Sequence, residues 1–243
     1  MTENQGDSAL SRPVPAGQRD RWPRALTSLR HRDFRYLWAG EAGHAVSESI
    51  EMMGRNWFIW QLSGSPLLLG LMNFSRAIPR LIFGVYAGVL ADRVDKRVLL
   101  FTSQAATMVL KFAMAVLITT GWIEMWQIFV LAFLSGLTMS FVAPARESMT
   151  PYLVSKDDLL NAISLNRGVG YVLRMLTPAI AGVLIEIIGV DGIYYIAGVT
   201  YFFILFATWK IRTPTRAIRE RATSALSDMR GILSYVANHP TMF

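Results

Sequence analysis

Cysteine is absent from the 243 residues, which excludes disulfides, thiolate metal ligands and a cysteine nucleophile. Histidine is nearly so. His31, His44 and His239 stand far apart, and nothing around them has metal-ligand spacing or pairs a nucleophile with a base. No cofactor, no metal and no enzyme activity are expected. Charge is also scarce: 17% of residues are charged against 53% hydrophobic, and the mean hydropathy is +0.35. A soluble domain needs more polar surface than this. Residues 1–33 lack the apolar core of a cleavable signal peptide, so the first spanning helix is expected to act as the insertion signal.

Long apolar runs are what the chain has in abundance. Crossing a bilayer takes about 20 helical residues. Stretches near 35–62, 66–90, 98–120, 123–143, 161–189 and 192–211 meet that length. Open strand edges are not tolerated in lipid, so the expected fold is all-α, with six transmembrane helices. The turns Ser63-Gly64-Ser65, Thr120-Gly121-Trp122 and Gly189-Val190-Asp191 contain no Lys or Arg. Every other connection is basic, so the net charge of +7 is distributed between helices rather than gathered as a nucleic-acid patch. The positive-inside rule then places both ends in the cytoplasm, in a multi-pass protein of the plasma or inner membrane. The reading divides into a basic cytoplasmic tail at 1–33, a six-helix bundle at 34–211 and a cytoplasmic linker at 212–243. In that linker Leu226, Met229, Leu233 and Val236 recur at helical spacing, as in an amphipathic helix lying on lipid.

A charge in mid-membrane costs at least about 2.5–3.5 kcal/mol, so each one is a functional candidate. Glu41, His44, Glu48, Glu51 and Arg55 follow 3,4,3,4 spacing and share one face of helix one. Asn73, Arg76 and Arg80 repeat the pattern in helix two, Gln104, Thr107 and Lys111 in helix three, and Arg167 and Arg174 in helix five. Two readings are open. In one, helices one, two and five line a polar cavity for a small-molecule substrate. Glu48 and Glu51 are then the protonatable pair, their titration set by burial against Arg55 or Arg76. In the other, the charges are buried ion pairs that orient helices, as Glu51 and Arg55 would be at i,i+4. The surplus of bases suits an anionic substrate and suits simple counter-pairing equally. Gly84 and Gly88 have GxxxG spacing for close helix packing, and Pro178 and Gly182 mark a bend in helix five.

The most specific motif is the short loop between helices two and three, Gly88-Val89-Leu90-Ala91-Asp92-Arg93-Val94-Asp95-Lys96-Arg97. Gly88 permits close packing, Asp92 can face the positive end of a helix, and the bases face cytosol and headgroups. This run resembles the signature loop of the major facilitator superfamily. More narrowly, the chain is similar to the drug-and-siderophore exporters of the enterobactin-exporter type. Phe34-Arg35-Tyr36-Leu37-Trp38, the stretch from Trp57 to Pro66, Pro144-Ala145-Arg146, Leu153-Val154 and Leu160-Asn161-Ala162 resemble other segments of that branch.

The resemblance covers about residues 31–240. It implies a 3+3 inverted-repeat half of a major facilitator fold, working by alternating access and, in this branch, by proton-coupled export of small amphipathic molecules. It implies that Asp92, supported by Arg93 and Arg97, contacts an opposite half and helps to close the cytoplasmic side. Two positions depart from the pattern: Asp95, where the loop often has Gly, and Thr177 before Pro178, where antiporters usually have Gly. Gly231 to Pro240 resembles the linker into a seventh helix, so the chain is expected to be an N-terminal half. Its expected partners are membrane lipid and either a C-terminal six-helix half or a second copy. A non-transporting scaffold or truncated remnant is the remaining alternative.

Overall fold

The computed structural model describes residues 24–214, with the side chains of Arg24, Ala25 and Asp92 left outside the described set. The first part of the basic tail and the expected amphipathic helix of the linker lie outside the described residues. Among those described, all regular structure is helical. A 3₁₀ segment, Arg24–Arg30, leads into α1 (Arg32–Ser63), α2 (Pro66–Arg93), α3 (Lys96–Thr119), α4 (Met125–Leu153) and α5 (Leu159–Lys210).

Local chemistry explains the boundaries. Ser65 caps α2 by accepting from the Leu68 N–H, and Pro66 fills the first helical position, where a missing N–H costs nothing. Asp95 caps α3 by accepting from the Arg97 N–H at 2.9 Å and the Val98 N–H at 3.3 Å. An aspartate at this loop position therefore starts the helix that follows. Glu124 and Gln127 form a capping box at the start of α4. That helix does not stop at residue 143 as expected. It runs through Pro144 and Pro151 to Leu153, so Arg146 is a helical residue and not a loop base.

α5 is 52 residues long, and a straight helix of that length would extend ~80 Å at 1.5 Å per residue. It is broken at Gly189, whose φ of 74° and ψ of 176° leave helical space. That backbone is open to glycine and strained for other residues. The expected turn at 189–191 is thus reduced to a one-residue break between two helical segments, 159–188 and 190–210.

Side chains are distributed inside out. Met175 is 82% exposed and Leu160 77%, while Lys111 is 3% and Arg55 2% exposed. Apolar surface outside and charge inside is the arrangement lipid demands. Among the described residues, four helices are long and apolar enough to cross a membrane: Pro66–Ala91, Lys96–Thr119, Met125–Leu153 and the double-length Lys156–Lys210. α1 is long enough but is not among them, because Glu41, Glu48, Glu51 and Arg55 interrupt it.

Contacts at the helix ends define two poles. At one, Asp33 accepts from the Arg212 and Thr213 N–H groups, Arg97 donates to the Trp209 carbonyl, and Ser28 and His31 bind Asn161 and Asp158. Ser155 donates to the same Asp158 carboxylate at 2.9 Å, and Arg30 pairs with it at 2.9 Å. At the other pole Thr119 donates to Asp191. The first pole is the basic one. The apolar core is divided accordingly. Phe34, Leu37, Leu100, Met149 and Ile211 pack near the basic pole, and Ile59, Met72, Met114, Ile128 and Tyr194 near the other. Along α1 the stretch Glu41–Arg55 lies between these two clusters.

Candidate functional site

The charged face of α1 is buried, as its spacing predicts. α1 packs chiefly on α5, with the second segment of α5 close against it. Ser47 donates to the Ala197 carbonyl at 3.0 Å, and the His44 ring and Tyr201 hydroxyl are hydrogen-bonded at 2.9 Å. Gly54 brings the two helices together, since a Cβ there would lie 2.9 Å from Ile193. The carboxylates then reach across to other helices. Glu41 sits between Arg146 of α4, at 2.5 Å, and Arg174 of α5, at 3.6 Å. Glu48 pairs with Arg76 of α2 and lies 3.4 Å from Lys111 of α3. Glu51 is held by Arg55 at 2.7 Å and by Lys111. Each glutamate is shared by two cations, and the Lys111 ammonium also stands over the Tyr201 ring at 5.2 Å.

Much of this network is the wall of a half-open cavity of about 850 Å³. Of the residues singled out in the sequence, Glu41, His44, Glu48, Arg55, Asn73, Arg76, Arg80, Arg167 and Arg174 line it. Glu51 and Lys111 do not. They lie behind the wall, with Tyr194, around a second hollow of only about 20 Å³. Arg80 is exposed and makes no hydrogen bond or ion pair among the described residues. Glu51 therefore belongs to a closed ion-pair cluster, and Glu48 joins that cluster to open space.

α4 is the wall that the sequence reading omitted. It supplies Gly136, Met139, Ala143, Arg146, Glu147 and Thr150 to the cavity. α2 crosses α4 so closely that a Cβ on Gly136 would stand 2.0 Å from the Arg76 carbonyl oxygen. This contact fixes the backbone that carries Arg76. At Gly84, Gly88 and Gly182, by contrast, nothing among the described residues comes within 4 Å of a Cβ position. Among the described residues, close helix approaches are made at Gly136 and Gly54. Pro178 lies within the first segment of α5 beside the buried Thr177. In the signature loop, Gly88 and Arg93 end α2, and Arg97 ties the start of α3 to the end of α5 through the Trp209 carbonyl. The Asp92 side chain is outside the described residues. Among the described residues, no cluster of His, Asp and Glu could hold a metal.

Comparison with known proteins decides the family. Residues 24–239 match the transmembrane secretion effector family of the major facilitator superfamily. The chain belongs to that superfamily. It is 27% identical over 191 residues to the staphyloferrin A transporter of Staphylococcus aureus, covering 78% of this chain and 48% of that protein. It is 26% identical over 189 residues to an uncharacterised transporter of the superfamily, YfiS of Bacillus subtilis, covering 75% and 44%. Macrolide efflux protein A of Streptococcus pyogenes is 24% identical over 157 residues, covering 63% and 38%. The chain thus matches about half of each relative's length or less.

Proposed function

We propose that this chain forms the N-terminal, six-helix half of a secondary active transporter that exports small amphipathic molecules in exchange for protons. The observation that carries the reading is the half-open cavity walled by buried charge among lipid-facing helices. Such a wall is expensive in a membrane and has a use where a solute must leave water and be released again. Counting α5 as two crossings on either side of Gly189 gives six, in keeping with a 3+3 repeat and with both ends at the basic pole. By the positive-inside rule that pole faces the cytoplasm of a cell-membrane protein. The names of the relatives, one for staphyloferrin A and one for macrolide efflux, support export of compounds of moderate size.

Gly84 and Gly88 of α2 and Gly182 of α5 have free space beside them, and the cavity is half open. A second six-helix half, or a second copy of this chain in a half-sized dimer, would close it. Glu48 is the better proton carrier of the pair, because it reaches the cavity while Glu51 is enclosed.

Proteoliposomes with an imposed pH gradient test the proposal. The purified 243-residue chain alone is expected to leave a fluorescent amphipathic dye unmoved, and a twelve-helix protein containing this half to drive it. Transport by the chain alone would replace the half-transporter reading with the dimer. Undiminished proton-driven efflux in Glu48→Gln of the twelve-helix protein would remove Glu48 from the coupling.

A further inference from the structure

We infer that the substrate carries a carboxylate with a hydrogen-bond donor beside it, and that the arginines of the cavity wall receive this anionic group. The inference rests on the export reading above and names the chemistry of its cargo.

Charge balance is the first argument. Around the α1 stripe, three carboxylates (Glu41, Glu48 and Glu51) face five cations: Arg55, Arg76, Lys111, Arg146 and Arg174. The cavity lining repeats the imbalance, with six arginines against three glutamates. Counter-pairing alone calls for equal numbers. Three of the lining arginines, Arg80, Arg167 and Arg174, are exposed rather than enclosed, and the net positive field of the wall favours an incoming anion.

Unmet hydrogen bonds are the second argument. Arg55 and Arg76 each have a buried Nε, and Arg146 a buried Nη2, with no acceptor. All three residues line the same cavity. Buried donors in folded proteins are normally satisfied, and a planar guanidinium is matched in geometry by a carboxylate. Asn166, also in the wall, has the opposite need: its Oδ1 is buried with no donor. A ligand that satisfies both sides brings a carboxylate and a neighbouring hydroxyl or amide N–H. Met52, Met139, Ile163 and Tyr171 in the same lining would take its apolar part.

Binding to the purified chain in phosphatidylcholine nanodiscs tests this with a matched set: naphthylacetate, naphthylacetamide and naphthylethylamine. Naphthylacetate is expected to bind about tenfold or more tightly than the other two. Arg80→Gln, at an exposed side chain with no ion pair among the described residues, should weaken naphthylacetate several-fold and leave the amide unchanged. Arg146→Lys should also weaken it, because it keeps the charge beside Glu41 and loses the fork. If the amide or the amine binds as tightly as the acetate, the anion inference is overturned and the export reading stands. If none of the three binds at millimolar concentration, both fall for this chain. A parallel set in phosphatidylglycerol separates soluble anion from lipid. Loss of acetate binding there, with one lipid retained per chain in native mass spectrometry, would make the arginines a headgroup site and overturn the inference.

Discussion

At the scale of single residues, the charged network is not uniform in what it can lose. Lys111→Met leaves Glu48 with Arg76 and Glu51 with Arg55, so every carboxylate keeps a guanidinium. Glu51→Gln instead strands Arg55, a buried cation with no other ion pair among the described residues. Breaking a buried pair from one side costs about 3–5 kcal/mol. Glu51→Gln is expected to destabilise by that order and Lys111→Met by less than half as much, read from detergent-denaturation curves. The reverse order would show that Lys111, not Arg55, is the counter-ion that matters. The stripe itself was legible in the sequence, because 3,4 spacing allows only one helix face. Its partners were not. Glu41 and Arg146 are 105 positions apart and meet through helix packing that no local pattern encodes. Arg146 also lay beyond the expected end of the fourth helix at residue 143, although α4 continues through Pro144 and Pro151 to Leu153.

At the scale of elements, glycine spacing and glycine packing come apart. GxxxG at Gly84 and Gly88 is a familiar sign of close approach, yet the tightest glycine contact among the described residues is at Gly136, which stands in the broader small-residue spacing Ala132-x-x-x-Gly136-x-x-x-Ser140. A motif marks where a backbone can come close; only the neighbouring helix decides whether it does. Gly136→Ala would drive a methyl group into the Arg76 carbonyl, which cannot swing aside as a side chain could. Its expected cost is about 1–3 kcal/mol or more, with disturbed placement of Arg76. Gly84→Ala has open space and should be neutral or stabilising by up to about 1 kcal/mol in the isolated chain, from helix propensity. Thermal unfolding of the two variants side by side checks this. Equal losses would mean that α2 packs through Gly84 after all. Element boundaries were legible to within a few residues wherever a cap existed, as at Ser65 and Asp95. They were least legible in α4, where tertiary packing overrides local signals, whereas the turn expected at 189–191 coincides with the Gly189 break.

At the scale of the whole molecule, α1 is the described helix least suited to lipid and is made before the four that supply its partners. Its carboxylates find their counter-ions on α2, α3, α4 and α5, the last of them 133 positions after Glu41. The ion-pair network therefore has a consequence in time as well as in space. Until Lys111 and Arg146 have been synthesised, α1 has no complete set of partners and should stay beside the insertion machinery or in contact with water. Because the chain lacks cysteine, Ala45→Cys can report on this directly in stalled translation intermediates. Chains ending before Lys111 are expected to react with a membrane-impermeant maleimide at that position, and chains extending past Lys210 to be protected. Early protection would mean that α1 enters the bilayer without its counter-ions. The charges that serve a cavity in the finished protein would otherwise act during synthesis as a checkpoint, holding the first helix back until the later ones arrive to receive it.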